Sequence, residues 1–180
     1  MKIQRITNNQ SLFSEDLHKL YLEAFPENER KPIDALYAHQ EAGFSDVFVI
    51  LEEDNSFVGM ITTLKRPQLM FVEYFAIAPE YRGLGYGSKV LSLLHNKYKD
   101  VPICLEIEVV NTEAGIQDER VRRLQFYENN GFQQLNIVVN LFGVEFELLG
   151  TSSDIRFEDY ALLYQQIHGE AIKEVLYLIK

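Results

Sequence analysis

The chain has 180 residues, which is enough for one domain with its own hydrophobic core. Its 27 acidic and 17 basic residues give a formal net charge of −10, which argues against nucleic-acid binding because phosphate contacts need clustered Lys and Arg. The single cysteine, Cys104, excludes an intrachain disulfide, and it lies in an apolar run that is typical of a buried strand.

Segments for targeting or membrane insertion are not evident in the sequence. No apolar run approaches the ~18 residues that a membrane-spanning helix needs. The first residues, 1–5, lead into polar residues instead of the apolar stretch of a signal peptide. We therefore expect a cytoplasmic protein that does not bind a membrane. The four histidines fall in separate predicted helices without ligand spacing, so we expect no metal site.

The first part of the chain predicts a strand, two helices and two more strands. Ser11 or Ser14 is expected to cap the first helix, and Pro26 to stop it. Pro32 opens the second helix, because proline is favoured in a first helical turn. The predicted elements are a strand at 3–6, a helix ending before Pro26, a helix at 32–40, and strands at 47–51 and 57–64.

The rest of the chain alternates strands and helices and then ends in a helical segment. Predicted elements are a strand at 71–78, a helix at 89–98, a strand at 103–110, a polar stretch from Asn111, a helix containing Tyr127, a hairpin at 136–141 and 144–149, and a helix or helix pair at about 157–178. This order predicts a mixed α/β fold, with a mixed central sheet of about six to seven strands flanked by helices. We expect a single domain over 1–180, with a core at about 1–150 and a C-terminal helical extension at about 152–180.

A glycine-rich turn, residues 82–88 (RGLGYGS), lies between an apolar strand and an amphipathic helix. Alternate glycines remove the Cβ atoms that would keep a ligand from the backbone. The first N–H groups of a helix have no partner inside it and lie at the positive end of its dipole. The turn is therefore suited to holding a phosphate group. It lacks the spacing of a P-loop and of dinucleotide-binding folds, so a nucleotide-binding protein is a minor alternative.

Residues 71–88 resemble the acetyl-CoA-binding signature of the GNAT superfamily of N-acetyltransferases, whose core here is Arg82, Gly85 and Gly87. A second motif of that superfamily, a tyrosine shortly before Gly-Phe, is matched by Tyr127 in residues 126–132. The two motifs occur in the expected order, and the order of elements over residues 1–150 also matches.

The resemblance implies acetyl-CoA as cosubstrate, without a metal. Its diphosphate is expected on the turn, and its pantetheine arm is expected to pair with the preceding strand as an added strand would. The residues implied to bind it are Phe75, Ala76, Ile77, Arg82, Gly83, Leu84, Gly85, Tyr86, Gly87 and Ser88. The implied reaction is direct acyl transfer to an amine, which must lose a proton to attack.

Three carboxylates on apolar strands are candidates for the general base, in the order Glu73, Glu106 and Glu108. Period-two alternation places Glu106 and Glu108 on one face of their strand. Each of the three could instead make an ordinary ion pair or face solvent. Tyr127 is the candidate acid that stabilises the departing thiolate, and the alternative is a plain core tyrosine.

The function expected from these residues is transfer of an acetyl group from acetyl-CoA to a primary amine of a small molecule or protein. The alternative is a non-catalytic acyl-CoA-binding sensor or regulatory module, which would need neither Glu73 nor Tyr127. The sequence does not identify the amine acceptor. The C-terminal extension and the final hairpin are candidate surfaces for a homodimer.

Overall fold

The computed structural model describes residues 1–110, 115 and 117–180, so most of the polar stretch from Asn111 lies outside the described residues. The chain forms two compact units. Unit 1 comprises Met1–Lys65 and Val72–Lys97, and unit 2 comprises Arg66–Phe71 and Tyr98–Lys180. The described residues form eight strands and five α-helices, which confirms the mixed α/β fold class. The assignment of one domain stays a prediction.

Unit 1 contains a four-stranded run in the order β1-β2-β3-β4. Its elements are β1 (Lys2–Arg5), α1 (Ser14–Ala24), α2 (Ile33–Glu41), β2 (Ser45–Leu51), β3 (Phe57–Arg66), β4 (Leu69–Ile77) and α3 (Tyr86–Lys97). The last residue of β3 and the first three residues of β4 belong to unit 2. The β1–β2 and β2–β3 pairs are antiparallel, with Ile3 opposite Ile50 and Val49 opposite Met60. Only Pro67 and Gln68 separate β3 from β4, a connection short enough for a hairpin.

Every residue of β2 is buried, because side chains cover both of its faces. Val47 and Val49 pack in one cluster with Leu17 and Tyr21 of α1 and with Leu36 of α2. On the opposite face, Nζ of Lys97 at the end of α3 lies 5.9 Å from the ring centre of Phe48. A strand that is covered on both faces has a nearly continuous apolar sequence, as residues 47–51 of β2 do.

The predicted cap of α1 is wrong in detail. The helix is preceded by Phe13, which has φ of 70° and provides no side-chain cap. The hydroxyl oxygen of Ser11 instead accepts hydrogen bonds from the N–H groups of Thr7 and Asn8, and the Ser14 hydroxyl donates to the Asn9 carbonyl at 2.8 Å. Both serines therefore hold the loop that enters the helix rather than the helix end.

Unit 2 contains four strands in the order β5-β7-β6-β8, and their three pairings are antiparallel. Its elements are β5 (Ile103–Glu108), α4 (Glu119–Glu128), β6 (Gln133–Leu141), β7 (Val144–Gly150), α5 (Phe157–His168) and β8 (Leu176–Leu178). The predicted hairpin of β6 and β7 is present, and it turns at Phe142 and Gly143, which both have positive φ. Since β5 and β6 both run antiparallel to β7, they are parallel to each other with β7 between them.

The prediction of a helix or helix pair at about 157–178 is wrong for its last residues, which form a strand. Gly169 has φ of 66° and ends α5, and a 3₁₀ segment, Gly169–Glu174, follows it. Residues 176–178 then form β8, in which Tyr177 is opposite Asn140 of β6. Pairing with β6 gives the N–H and C=O groups of these residues hydrogen-bond partners, and this gain exceeds their local preference for a helix.

Among the residues that the structure describes, no helix is long and apolar enough to cross a membrane.

Candidate functional site

The glycine-rich turn joins the end of β4 to the start of α3 in unit 1. A 3₁₀ segment, Pro79–Tyr81, leads into it, and α3 begins at Tyr86. Gly83 and Gly85 have φ of 74° and 81°, and a Cβ at either position would meet no heavy atom within 4 Å. Glycine is therefore needed here for the backbone conformation, and the space that a side chain would take is open.

The backbone N–H groups of residues 83–88 donate to no acceptor in the part of the chain that the structure describes. The first such bond of the helix is donated by Lys89 to the Gly85 carbonyl at 3.2 Å. Gly83, Leu84 and Gly85 are exposed, and Leu84 has 62% of its surface accessible. A row of exposed N–H donors at a helix N-terminus can hold an anionic group such as a diphosphate.

Side chains of the turn hold its shape. Nε of Arg82 donates to the carbonyl of Ile77 at 2.8 Å, closing the turn onto the end of β4. The Tyr86 ring meets the Tyr81 ring edge-on with centroids 5.2 Å apart, and Nζ of Lys89 lies 4.9 Å from the Tyr86 ring centre. Arg82 and Tyr86 therefore have structural roles in this turn in addition to the binding role that the sequence predicts.

Residues 75–77 form the last part of β4 within unit 1. Ala76 is buried in the core, whereas Phe75 and Ile77 are partly exposed, as period-two alternation requires. Gly59 of β3 approaches this segment so closely that a Cβ there would collide with the Ala76 carbonyl oxygen. The N–H of Ala78 donates to the carbonyl of Val58 at 2.8 Å.

Glu73, the first candidate base, makes an ion pair with Lys31. The side chain of Glu73 is 5% exposed and that of Lys31 is 16% exposed, so both charges are largely removed from water. Lys31 lies in the loop between α1 and α2, immediately before Pro32. Sequence reasoning did not single out Lys31, because no local pattern relates it to Glu73, 42 residues away.

Two tyrosine hydroxyls fix the backbone of Lys31. The Tyr74 hydroxyl accepts from the Lys31 N–H at 3.2 Å and donates to the Glu29 carbonyl at 2.8 Å. The Tyr21 hydroxyl donates to the Lys31 carbonyl at 3.1 Å. Burial, and then the charge of Glu73, raise the pKa of Tyr74 far above its ordinary value, so this hydroxyl keeps its proton.

Glu106, the second candidate base, lies on β5 in unit 2, where it accepts hydrogen bonds from two buried tyrosines of α5. The Tyr160 hydroxyl donates to Oε2, and the Tyr164 hydroxyl donates to Oε1 at 3.3 Å. The Phe71 ring lies 5.4 Å and 5.9 Å from the two tyrosine rings. The i, i+4 spacing of the two tyrosines predicts that they lie on the same face of one helix. It does not identify Glu106 as the residue that they contact.

The third candidate, Glu108, differs from the other two in its exposure. Its side chain is 44% exposed and lies 3.6 Å from the Arg123 guanidinium of α4. Nearby on α4, the guanidinium of Arg120 pairs with the carboxylate of Asp118 at 2.7 Å. Hydrogen bonds from Arg120 lower the pKa of Asp118 to about 2, and this carboxylate also caps α4. These groups are engaged in ordinary surface ion pairs.

Tyr127, the candidate acid, lies in the last turn of α4. Its ring packs against Phe126 and Phe132, with centroids 5.1 Å and 5.6 Å away. Within the described residues its hydroxyl has no hydrogen-bond partner. Burial raises the pKa of Tyr127 to about 12, so the hydroxyl is a proton donor throughout the neutral range.

Over residues 1–110, 115 and 117–180, no group of His, Cys, Asp or Glu side chains could hold a metal ion.

Comparison with known proteins places these features in a family. The sequence model described as "Acetyltransferase (GNAT) family" matches residues 14–132. A Bacillus subtilis (strain 168) protein named "Putative acetyltransferase YjbC" is 27% identical over 158 residues, which are 88% of this chain and 74% of that protein.

Solved structures of similar fold come from the same class of enzyme. The "Putative acetyltransferase from GNAT family" of Bacteroides thetaiotaomicron superposes with a TM-score of 0.74 at 23% identity, covering 96% of this chain and 98% of that one. An aminoglycoside 6'-N-acetyltransferase complexed with coenzyme A superposes with a TM-score of 0.63 at 12% identity, covering 87% and 99%. At these identities the superpositions establish the fold, and the family match covers well over half of the chain. The chain therefore belongs to the acetyltransferase (GNAT) family and is an acyltransferase.

Proposed function

We propose that this protein transfers an acetyl group from acetyl-CoA directly to a primary amine of a small molecule or protein. The observation that carries the proposal is the row of N–H groups at residues 83–88 that have no acceptor among the described residues. A folded protein leaves such donors unpaired chiefly where water or a ligand takes them. A solved structure of similar fold is complexed with coenzyme A, which supports coenzyme A as a ligand of this chain.

The residues of unit 1 fit the chemical parts of acetyl-CoA. The open positions beside Gly83 and Gly85 let the diphosphate reach the backbone N–H groups. Phe75, Ala76 and Ile77 offer a strand end on which the amide-rich pantetheine arm could pair. Arg82, Leu84, Tyr86, Gly87 and Ser88 complete the proposed binding segment.

Acetyl-CoA supplies the acetyl group as an activated thioester. An acceptor amine is mostly protonated at neutral pH, and we assign to the carboxylate of Glu73 the removal of that proton. The nitrogen lone pair then forms a bond to the acetyl carbon while the carbon–sulfur bond breaks and the sulfur leaves with its electron pair. The acylated nitrogen loses its second proton to water, which leaves a neutral amide, and the departing sulfur gains one proton. The Tyr127 hydroxyl, which has no other partner among the described residues, is the proposed donor to that sulfur.

Glu106 is the second candidate for the base. Two tyrosine hydroxyls already occupy its carboxylate oxygens, which makes it less available than a carboxylate with a single cationic partner. This engagement of both Glu73 and Glu106 in internal contacts is also the observation that favours the second function, a non-catalytic acyl-CoA-binding sensor. A cytoplasmic location and a homodimer remain predictions.

Two measurements on the purified protein test these functions in order. Calorimetry with acetyl-CoA should show binding, and the release of CoA thiol should then be followed over a panel of primary amines, with each acetylated product identified by mass. Thiol release that depends on an amine supports the acetyltransferase. Tight binding without thiol release over the whole panel supports the sensor, and absence of binding contradicts both.

A further inference from the structure

The Lys31–Glu73 ion pair bears on which amine the protein can accept. Resting on the proposed function, we propose that the acceptor is zwitterionic: a primary amine with a carboxylate close to it, as in an α-amino acid. Its ammonium group would donate to Glu73, and its carboxylate would accept from Lys31. The proposal names the substrate class of the same site.

The burial of the pair is the first reason. The Glu73 side chain is 5% exposed and that of Lys31 is 16% exposed, so their charges are poorly screened by water. Taking one partner from a buried ion pair is strongly destabilising, because the other charge loses its compensation. An amine without an anion can reach the Glu73 carboxylate only by displacing Lys31 from it. A polycation adds repulsion from the Lys31 ammonium to that cost.

The fixed position of Lys31 is the second reason. Its N–H donates to the Tyr74 hydroxyl at 3.2 Å and its carbonyl accepts from the Tyr21 hydroxyl at 3.1 Å. Both tyrosines belong to the core cluster that also contains Leu17 and Val49. A movement of the Lys31 loop that displaced these rings would therefore disrupt close packing in the core. The backbone of Lys31 therefore stays in place, and its ammonium group stays within side-chain reach of Glu73 when an amine enters.

A zwitterion avoids both costs. It exchanges one ion pair for two, one between its ammonium and Glu73 and one between its carboxylate and Lys31, and each is a charge-assisted hydrogen bond. Glu73 takes a proton from the ammonium, and the neutral nitrogen bonds to the acetyl carbon as the carbon–sulfur bond breaks. The CoA sulfur leaves with its electron pair, and the acylated nitrogen loses its second proton to water, which gives the neutral amide. The amide nitrogen carries no charge, so the product loses its contact with Glu73 and Lys31 can return to that carboxylate.

Matched acceptors test the inference on the unmodified protein. L-phenylalanine is compared with phenethylamine, and L-alanine with ethylamine, because the members of each pair differ only by the carboxylate. Spermidine serves as the polycation. We expect kcat/KM for thiol release to be at least about tenfold higher with the amino acid of the preferred pair. Equal or higher kcat/KM with the plain amine, or with spermidine, would overturn the inference.

Variants of Lys31 then test whether this residue causes the preference for an acceptor that carries a carboxylate. Lys31→Met should reduce the preference for the amino acid to within about threefold, with most of the loss in KM, because the partner of the acceptor carboxylate is gone. Lys31→Arg keeps the cation and should retain part of the preference. Lys19→Met removes an exposed lysine of α1 and makes the same change in net charge, so its preference should equal that of the parent.

The outcomes separate the inference from the function on which it rests. Thiol release with plain amines preferred leaves the acetyltransferase standing and removes the zwitterionic acceptor. No thiol release with any acceptor removes both. If Lys31→Met does not fold by circular dichroism, the parent protein and Lys31→Arg still decide, because the preference ratio of the matched acceptors needs no other variant.

Discussion

The hydroxyl of Tyr160 donates a hydrogen bond to Oε2 of Glu106, and Tyr164 donates to Oε1 of the same carboxylate at 3.3 Å. Both tyrosines lie on α5, beyond residue 132, where the match to the family sequence model ends. The C-terminal extension therefore supplies the hydrogen-bond donors for a carboxylate that lies within the family's matched region. This gives the extension a structural role in unit 2.

Replacing Tyr160 by Phe should lower the free energy of unfolding by about 1.5–3 kcal/mol. The change removes an O–H donor from a carboxylate while keeping the ring, which is fully buried and packs against Phe71. Chemical denaturation of the parent and the variant measures the difference. Tyr177→Phe is the matched control, since Tyr177 is 52% exposed and the same loss should change stability by less than about 0.5 kcal/mol. Equal stability of Tyr160→Phe and the parent would contradict the hydrogen bond.

Local rules in the sequence predicted the features that are decided locally. The glycine-rich turn between β4 and α3 and the hairpin turn between β6 and β7 follow from local turn residues, and the amphipathic character of α3 follows from apolar spacing. The partners of the charged groups could not be predicted in this way. Lys31 and Glu73 are 42 residues apart, and Tyr160 and Glu106 are 54 apart, so their contacts depend on the tertiary fold. The strand β8 was not predicted for the same reason: it forms by hydrogen bonding to β6, which is distant in the sequence.

Replacing Gly85 by Ala should weaken acetyl-CoA binding more than it weakens the fold. Ala at φ of 81° costs about 1–2 kcal/mol of conformational energy, and its methyl group would occupy the open space beside the turn. We expect a loss of about tenfold or more in acetyl-CoA affinity by calorimetry, since the ligand can no longer approach the N–H groups.

Gly43→Ala is the control for this prediction. Gly43 has φ of 84° and open space around its Cβ position, so the backbone penalty is matched, but it follows α2 instead of the turn. Its stability loss should be similar and its acetyl-CoA affinity unchanged. If both variants lose the same affinity, the turn at residues 82–88 is not the binding segment.

Replacing Glu73 by Gln should reduce kcat/KM for acetyl transfer at neutral pH by about 10²–10⁴, because an amide cannot accept the amine proton. The same change leaves the Lys31 ammonium without this carboxylate, so a stability loss is also expected. Glu23→Gln, at an exposed position of α1, controls for the change in net charge. An unchanged pH–rate profile in Glu73→Gln would exclude Glu73 as the base and direct attention to Glu106.

Replacing Tyr127 by Phe should reduce kcat by about 10²-fold while leaving stability near neutral pH almost unchanged. The hydroxyl has no partner among the described residues, so its removal breaks no internal hydrogen bond, whereas the leaving sulfur loses its proposed donor. Initial rates of thiol release and thermal unfolding measure the two effects. A variant with the kcat of the parent would remove Tyr127 from the mechanism and leave it as a core tyrosine.

The pH dependence of Tyr127→Phe gives a second readout of the same hydroxyl. Burial raises the pKa of Tyr127 from the ordinary 10.0 to about 12 in the folded protein. Below pH 10 the hydroxyl is protonated in both the folded and the unfolded chain, so it contributes no pH dependence there. Between pH 10 and about 12 the unfolded chain releases this proton first, so the free energy of unfolding falls as the pH rises. Tyr127→Phe should lose this part of the alkaline decline in denaturation measurements. An identical decline in parent and variant would show that the hydroxyl is not shielded from water as the structure has it.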